Sequence, residues 1–363
     1  QITGRRPMVE ATFARLAARE PGVEIRRGAA VRGLVAEGSG NGAVPHILGV
    51  LTDSGETVRG DLVVDAGGRR SALPDWLAAV GARRPREEKA DSGFAYYGRH
   101  YRSADGAMPP MLGPPLQAYD SLSTFTGVAD NGYWSVVLLG SADDRALRRT
   151  RDVDVWERVV RHYPLVAHWI DAEPVTGVDV MVKIEDRRRD LDGDGRPLAT
   201  GVVALGDSWA CTNPSVGRGA SIGLYHATCL RDTLRETNGG DPNALVMRFN
   251  AVTKSAVEPY VDETMSFDAH RLAEIDAQIA GLPYVTDDPA WHLGQALRAG
   301  AARDPELLRA ATRIMGLLEA GADVFADSRV REKVLALGPP ERLPGPTRKE
   351  LLELIDARST VRT

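Results

Sequence analysis

Cysteine is nearly absent: Cys211 and Cys229 are the two thiols in 363 residues. They form neither a disulfide framework nor a metal-ligand spacing, which argues against a stapled secreted scaffold and suits a reducing, cytoplasmic compartment. No run of 18 apolar residues occurs, which excludes a helix that spans a bilayer. Neither charge sign prevails. Forty-five basic and fifty acidic residues leave a net −5, so general attraction to nucleic acid is not implied. The seven histidines contain no His-Glu-x-x-His pair, and His162 and His168 fit a packed helix surface. A Gly-x-Gly-x-x-Gly turn leading from a strand into a helix is missing as well. Its near match, Gly38-Ser39-Gly40-Asn41-Gly42-Ala43, runs into Val44-Pro45 and a further strand, and reads as a hairpin loop. The rest is ordinary globular composition, with length for two or three domains.

The most informative stretch is Gly201 to Leu234. Gly201-Val202-Val203-Ala204-Leu205 is apolar without alternation, the pattern of a short buried strand. Gly206-Asp207 breaks it, and a loop with Pro214, Gly217 and Gly219 follows. Ala220, Leu224, Ala227, Leu230 and Leu234 then recur at helical spacing and predict one packed face, ended by Asn238-Gly239-Gly240. Strand, carboxylate, glycine loop and helix start thus come in order. The unpaired N–H groups and positive dipole end of such a helix favour an anion or an electron-rich ring. Gly217 and Gly219 let backbone approach where a Cβ would collide.

GDSWACTNPSVGRGASIGLYHATCLRDTL resembles the second flavin-binding motif of FAD-dependent oxidoreductases of the p-hydroxybenzoate hydroxylase type. The resemblance implies that Gly206 and Asp207 hold the ribityl chain and that Pro214 borders the flavin. Gly217, Arg218, Gly219, Ala220 and Ser221 would offer backbone N–H groups, with Arg218 a candidate to stabilise negative charge on reduced flavin. Leu62-Val63-Val64-Asp65 closing on Ala66-Gly67-Gly68 resembles the family's strand that ends near the flavin, which adds Gly67. Here Gly67 replaces the family's threonine, and Asp65 stands ahead of the turn instead of beyond it. Arg6 sits where many relatives place a polar FAD contact. The first βαβ unit, with its Gly-x-Gly-x-x-Gly turn, is expected to lie ahead of Gln1, in about 100 residues.

Around this motif the chain predicts an α/β (α+β) architecture: the remainder of a Rossmann-like FAD-binding domain over 1–80 and 200–240, a β-rich substrate domain over 81–199, and a helical region over 241–363. An amphipathic helix should follow Arg6-Pro7, with Met8, Val9, Phe13 and Leu16 on one face. Two short strands are expected around Gly28, then a meander through His46–Leu51 and Thr57-Val58. Gly93–Arg102 reads as an aromatic strand, Ser123–Ala129 and Tyr133–Leu139 as a hairpin about Asn131-Gly132, and Asp154–Trp169 as one helix. Asp179–Ile184 predicts a further strand. Tyr97, Tyr101, Tyr133 and Trp134 could line an apolar pocket or pack the sheet, and the helical tail could cover the sheet or form a homodimer contact.

The function implied is an FAD-dependent oxidoreductase, reduced by NAD(P)H and using O₂ to monooxygenate a small apolar or aromatic molecule. The cofactor carries that chemistry, so no catalytic acid or base is assigned. A reductase of the geranylgeranyl reductase type is the alternative enzyme. The Trp-x-Trp-x-Ile-Pro motif of flavin halogenases is not present. A serine hydrolase is the alternative of another class: Gly219-Ala220-Ser221-Ile222-Gly223 matches Gly-x-Ser-x-Gly, with Asp268 and His270 downstream. A flavin-free binding protein is a third. Asp190-Leu191-Asp192-Gly193-Asp194-Gly195 opens like a calcium loop, but Gly201 at its twelfth position makes it a hairpin turn.

Overall fold

The computed structural model describes residues 3–38, 43–193, 195–238, 240–337 and 341–357. The chain divides into two compact units: residues 24–91 with 185–266, and residues 1–23 with 92–184 and 267–363. The architecture is mixed α/β, with antiparallel sheets, helices and one parallel strand pair among the described residues.

In the first unit, β1 (Val31–Glu37), β2 (His46–Thr52) and β3 (Thr57–Arg59) form the expected antiparallel meander. Residues 24–30 are irregular with a turn at 27–28, not the extra strand expected beside Gly28. Of the Gly-x-Gly-x-x-Gly near match at 38–43, residues 39–42 lie outside the described residues. β4 (Val63–Asp65) pairs in parallel with β15 (Val202–Ala204), Val63 opposite Val202 and Asp65 opposite Ala204. β15 is buried throughout, whereas Val64 of β4 is 40% exposed, so β4 is less enclosed than its apolar sequence predicts. α2 (Leu73–Ala79) follows, and β5 (Arg86–Asp91), β12 (Glu185–Asp190) and β16 (Ala210–Cys211) make a second small sheet. A two-stranded turn of β13 (Asp192–Gly193) and β14 (Arg196–Pro197) occupies the stretch that opened like a calcium loop.

α4 (Gly219–Thr237) ends where Asn238 turns into the left-handed region at φ +47°. Its packed face keeps Leu230 of the predicted stripe but is otherwise rotated away from it. Ile222, His226, Cys229, Leu230 and Thr233 are buried, while Ala220 and Leu224 are exposed. The helix axis is rotated toward a stripe containing two polar residues, which hydrophobic spacing alone cannot reveal. α5 (Pro242–Val252) runs through one π-helical turn at Thr253–Val257 into α6 (Glu258–Ile279).

In the second unit a six-stranded sheet is built from β6 (Phe94–Arg102), β7 (Leu116–Ala118), β8 (Ser123–Val128), β9 (Tyr133–Ser141), β10 (Glu173–Pro174) and β11 (Asp179–Met181). Asn131 (φ +53°) and Gly132 (φ +70°) make the tight β8–β9 turn, both central residues left-handed as the Asn-Gly pair demands. Alternation sorts the side chains. Ala95, Tyr97, Tyr101, Trp134, Val136 and Leu138 pack on one face with Trp156, while Phe94, Tyr96 and Leu139 take the other. The helix expected over 154–169 is α3 (Val153–Val160) followed by a separate 3₁₀ turn at Ala167–Ile170, with Pro164 in the break.

α1 (Arg6–Ala17) forms as expected but buries none of its residues: Met8, Val9, Phe13 and Leu16 are all exposed. α7 (Pro289–Ala301), α8 (Pro305–Met315), α9 (Gly321–Ala326) and α10 (Ser328–Ala336) enclose a small core of Leu297, Leu307, Val324 and Val334. Asp288-Pro289 and Asp304-Pro305 open α7 and α8 as Asp241-Pro242 opens α5: the aspartate accepts the first free N–H groups and the proline presets φ. α11 (Arg348–Asp356) starts on a capping box of Thr347 and Glu350 and buries Leu351 and Ile355.

Candidate functional site

The parallel β4–β15 pair decides the geometry. Because Asp65 lies opposite Ala204, the Gly67-Gly68 turn and the Gly206-Asp207 turn leave neighbouring strands at the same carboxyl end. Several bonds tie the two turns together. Gly68 N–H donates to Ser208 Oγ at 2.9 Å. Asp65 is buried and accepts from the Gly67 N–H at 2.9 Å and from the Ser71 hydroxyl, so it braces its own turn. The Arg189 guanidinium, 3% exposed, donates to Ser208 O at 2.8 Å, to Ser71 O at 3.1 Å and to Glu87 Oε1 at 2.7 Å. Arg187, equally buried, donates to the Asp207 carbonyl at 3.2 Å. None of these arginines is signalled by a motif. Their polar sequence, Arg187-Arg188-Arg189, reads as a solvated run, and only the β5–β12 pairing turns two of the three inward.

Gly206 sits at φ +56°, and an added Cβ would stand 3.5 Å from Gly223 Cα, so α4 passes close over the turn. The Gly206 N–H donates to His226 Nδ1 at 3.2 Å. Since an N–H can only donate, Nδ1 is the acceptor and the ring proton resides on Nε2, facing Thr253 Oγ1 at 2.9 Å. His226 is fully buried against the rings of Trp209 and Phe249, and burial alone pushes its pKa down to about 4.

The loop that follows is open. Asp207, Pro214, Gly217, Gly219, Ala220 and Ser221 are exposed together, and no side chain caps the start of α4. The Ser215 hydroxyl is buried in the same loop with no partner among the described residues. An exposed carboxylate after a strand, an uncapped 19-residue helix and an orphan hydroxyl fit a polar ligand with an electron-rich ring, as a flavin is. Arg218 departs from the expectation. Its guanidinium is buried and reaches Thr264 Oγ1 at 2.9 Å and Glu263 at 3.6 Å, so its charge ties the loop to α6. Arg6 is a surface residue of the other unit, paired with Glu10 at 2.6 Å.

Three further groups of residues have other employment. Tyr97, Tyr101 and Trp134 belong to the apolar core, and burial pushes the Tyr101 phenol up to about 12; Tyr133 is half-buried with the Arg5 guanidinium over its ring. Ser221 lies inside the first turn of α4, not on a strand-to-helix elbow. His270 holds Tyr284 Oη at 2.6 Å and Asp288 Oδ2 at 2.8 Å, so neither ring nitrogen serves a serine. A cavity of about 190 Å³ is walled by Arg188, Asp190, Asp192, Asn250, Lys254 and Glu258, whose charges largely pair with one another.

No family model matches the sequence. Protein Rv3254 of Mycobacterium tuberculosis is 28% identical over 239 residues, 63% of this chain and 50% of that protein. The chain therefore spans about half the length of the curated relative it matches. Among solved structures, the flavin-dependent brominase Bmp2 superposes with a TM-score of 0.59 at 15% identity, over 91% of this chain and 76% of that one. PqsL, a probable FAD-dependent monooxygenase from Pseudomonas aeruginosa, gives 0.55 at 15% identity, over 74% and 70%. The fold is that of flavin-dependent monooxygenases. The Diels-Alderase PyrE3 of pyrroindomycin biosynthesis, at 0.52 and 16% identity over 82% of this chain and 57% of that one, shares it too. A flavin-monooxygenase fold thus hosts bromination and cycloaddition as well as oxygenation, and the fold by itself does not choose among reactions. No described helix is long and apolar enough to cross a membrane.

Proposed function

We propose that the chain belongs to an FAD-dependent oxidoreductase, a monooxygenase using O₂ and NAD(P)H on a small apolar or aromatic molecule. The observation that carries this reading is the parallel β4–β15 pair, which sets Gly67 and the Gly206-Asp207 turn side by side ahead of the open start of α4. In this reading Asp207 accepts hydrogen bonds from the ribityl hydroxyls and Pro214 borders the ring system. The N–H groups of Gly219, Ala220 and Ser221 face the flavin's electron-rich edge. Bound FAD would supply the redox chemistry and oxygen activation. The protein's share is to orient and to exclude water, and the exposed Asp207 and buried Asp65 divide the work: one meets the ligand, the other braces the turn behind it. The setting is cytoplasmic, and a homodimer is the assembly this reading admits.

The test is the visible spectrum and flavin stoichiometry of the full-length protein. Near one equivalent of FAD is expected, with Asp207→Ala lowering FAD affinity by about tenfold or more, the effect of losing charge-assisted hydrogen bonds. A folded full-length protein that takes up no flavin overturns the reading. Oxygen uptake coupled to substrate oxygenation separates the monooxygenase from a geranylgeranyl-type reductase, which reduces its substrate without incorporating oxygen.

A further inference from the structure

We infer that His226 is a positioning residue for the flavin loop: from the buried face of α4 it holds the Gly206 N–H and thereby fixes the direction in which Asp207 presents its carboxylate. The inference rests on the flavin reading above, and it adds a residue that the second flavin motif does not single out.

Three observations carry it. First, the ring has no freedom. Nδ1 accepts from Gly206 at 3.2 Å, Nε2 donates to Thr253 Oγ1 at 2.9 Å, Phe249 stacks on it at 4.9 Å and Trp209 meets it edge-on at 5.1 Å. Turning the imidazole would forfeit both bonds inside a fully buried site, where an unpaired polar atom is costly. Second, the bond falls where the backbone needs direction. Gly206 is left-handed at φ +56° and immediately precedes Asp207, so locking its N–H limits the rotation that would swing the carboxylate away. Third, the far side of the ring is built for the task. Thr253 opens the π-helical turn between α5 and α6, and Thr253 is itself 4% exposed. A leucine or methionine would fill the same volume among these rings, so packing alone does not call for histidine at this position.

A structural role alone would make any loss of FAD binding follow the loss of stability. The positioning role separates two substitutions. His226→Asn places a carbonyl oxygen near the Nδ1 position and keeps the acceptor for Gly206; His226→Gln reaches toward Thr253 and abandons Gly206. With the full-length protein, the dissociation constant for FAD, the visible circular dichroism of bound FAD and the melting temperature are measured for both. Amide hydrogen exchange at Gly206 to Ser208 is measured on the flavin-free protein. His226→Gln is expected to weaken FAD binding about tenfold and alter the dichroism, with faster exchange at Gly206; His226→Asn should stay within about threefold of the parent and retain its dichroism, even where the two melt alike. Binding losses that track melting temperature in both variants, or exchange at Gly206 unchanged in His226→Gln, overturn the inference. Should the parent protein take up no FAD while the exchange pattern still separates the variants, the flavin reading fails and the loop-holding role of His226 stands.

Discussion

Beneath the six-stranded sheet the buried cluster is mainly tyrosine, tryptophan, valine and leucine; around the β4–β15 pair arginine, aspartate, serine and histidine are buried beside the apolar strand. The first region gains its stability from area. Trp156 and Trp134 are almost wholly enclosed, and each spends its single N–H on a carbonyl, Trp156 on Tyr97 and Trp134 on Trp169. The second region holds backbone in place instead. Arg189 reaches the Ser71 and Ser208 carbonyls, Arg187 the Asp207 carbonyl, and His226 the Gly206 N–H. Buried charge of this sort is a poor source of net stability, because desolvation offsets most of the attraction. It is effective at giving a loop one conformation. The contrast assigns different tasks to the two regions: one supplies a rigid body, the other a shaped edge.

Perturbing each region separately should sharpen that contrast. The largest effect is expected in the aromatic core, where Trp156→Ala should cost about 3–5 kcal/mol in chemical denaturation and lower the melting temperature. The polar region should respond to acid. His226 is held neutral with its pKa near 4, below the usual 6.5, so its contribution is complete above pH 6.5 and is lost as pH falls toward 4. The loss should reach about 3 kcal/mol, and replacing His226 by Asn should flatten that part of the stability–pH curve. The smallest effect is at the surface. Asp130 lies beside the Arg5 guanidinium, which holds its carboxyl far below the usual range, yet the pair is exposed enough that Asp130→Asn should change the melting temperature little. A large drop there would mean that Arg5 anchors α1 through more than a screened ion pair.

The order of strand, Gly206-Asp207, loop and helix was legible because each piece has its own local signal, and so was the Asn131-Gly132 turn. The orientation of α4 was not legible. Ala220, Leu224 and Leu234 are apolar and correctly spaced, yet they edge an open face, while His226 and Thr233 occupy buried positions that hydrophobic spacing assigns to solvent. The same blindness hid Arg187 and Arg189, whose burial depends on strand pairing with residues about a hundred positions earlier. Tyr97 and Tyr101 show the converse: aromatic residues in alternation identify a face, but not that both faces are filled from within the same unit, one around Trp156 and the other around Ile275. α1 marks a further limit, since its apolar residues form the predicted helix and bury nothing in the described chain.

The π turn at Thr253–Val257 has a consequence for phase. In a regular helix each residue advances the side-chain direction by about 100°, so one extra residue offsets everything after it by that angle. Thr253, which meets His226, lies at the start of the turn; Glu263 and Thr264, which meet Arg218, lie beyond it. A single-residue deletion between them would leave one grip intact and rotate the other out of reach. The two ends of the Gly206–Gly219 segment are therefore clamped by one helix that has to be out of step with itself to hold both.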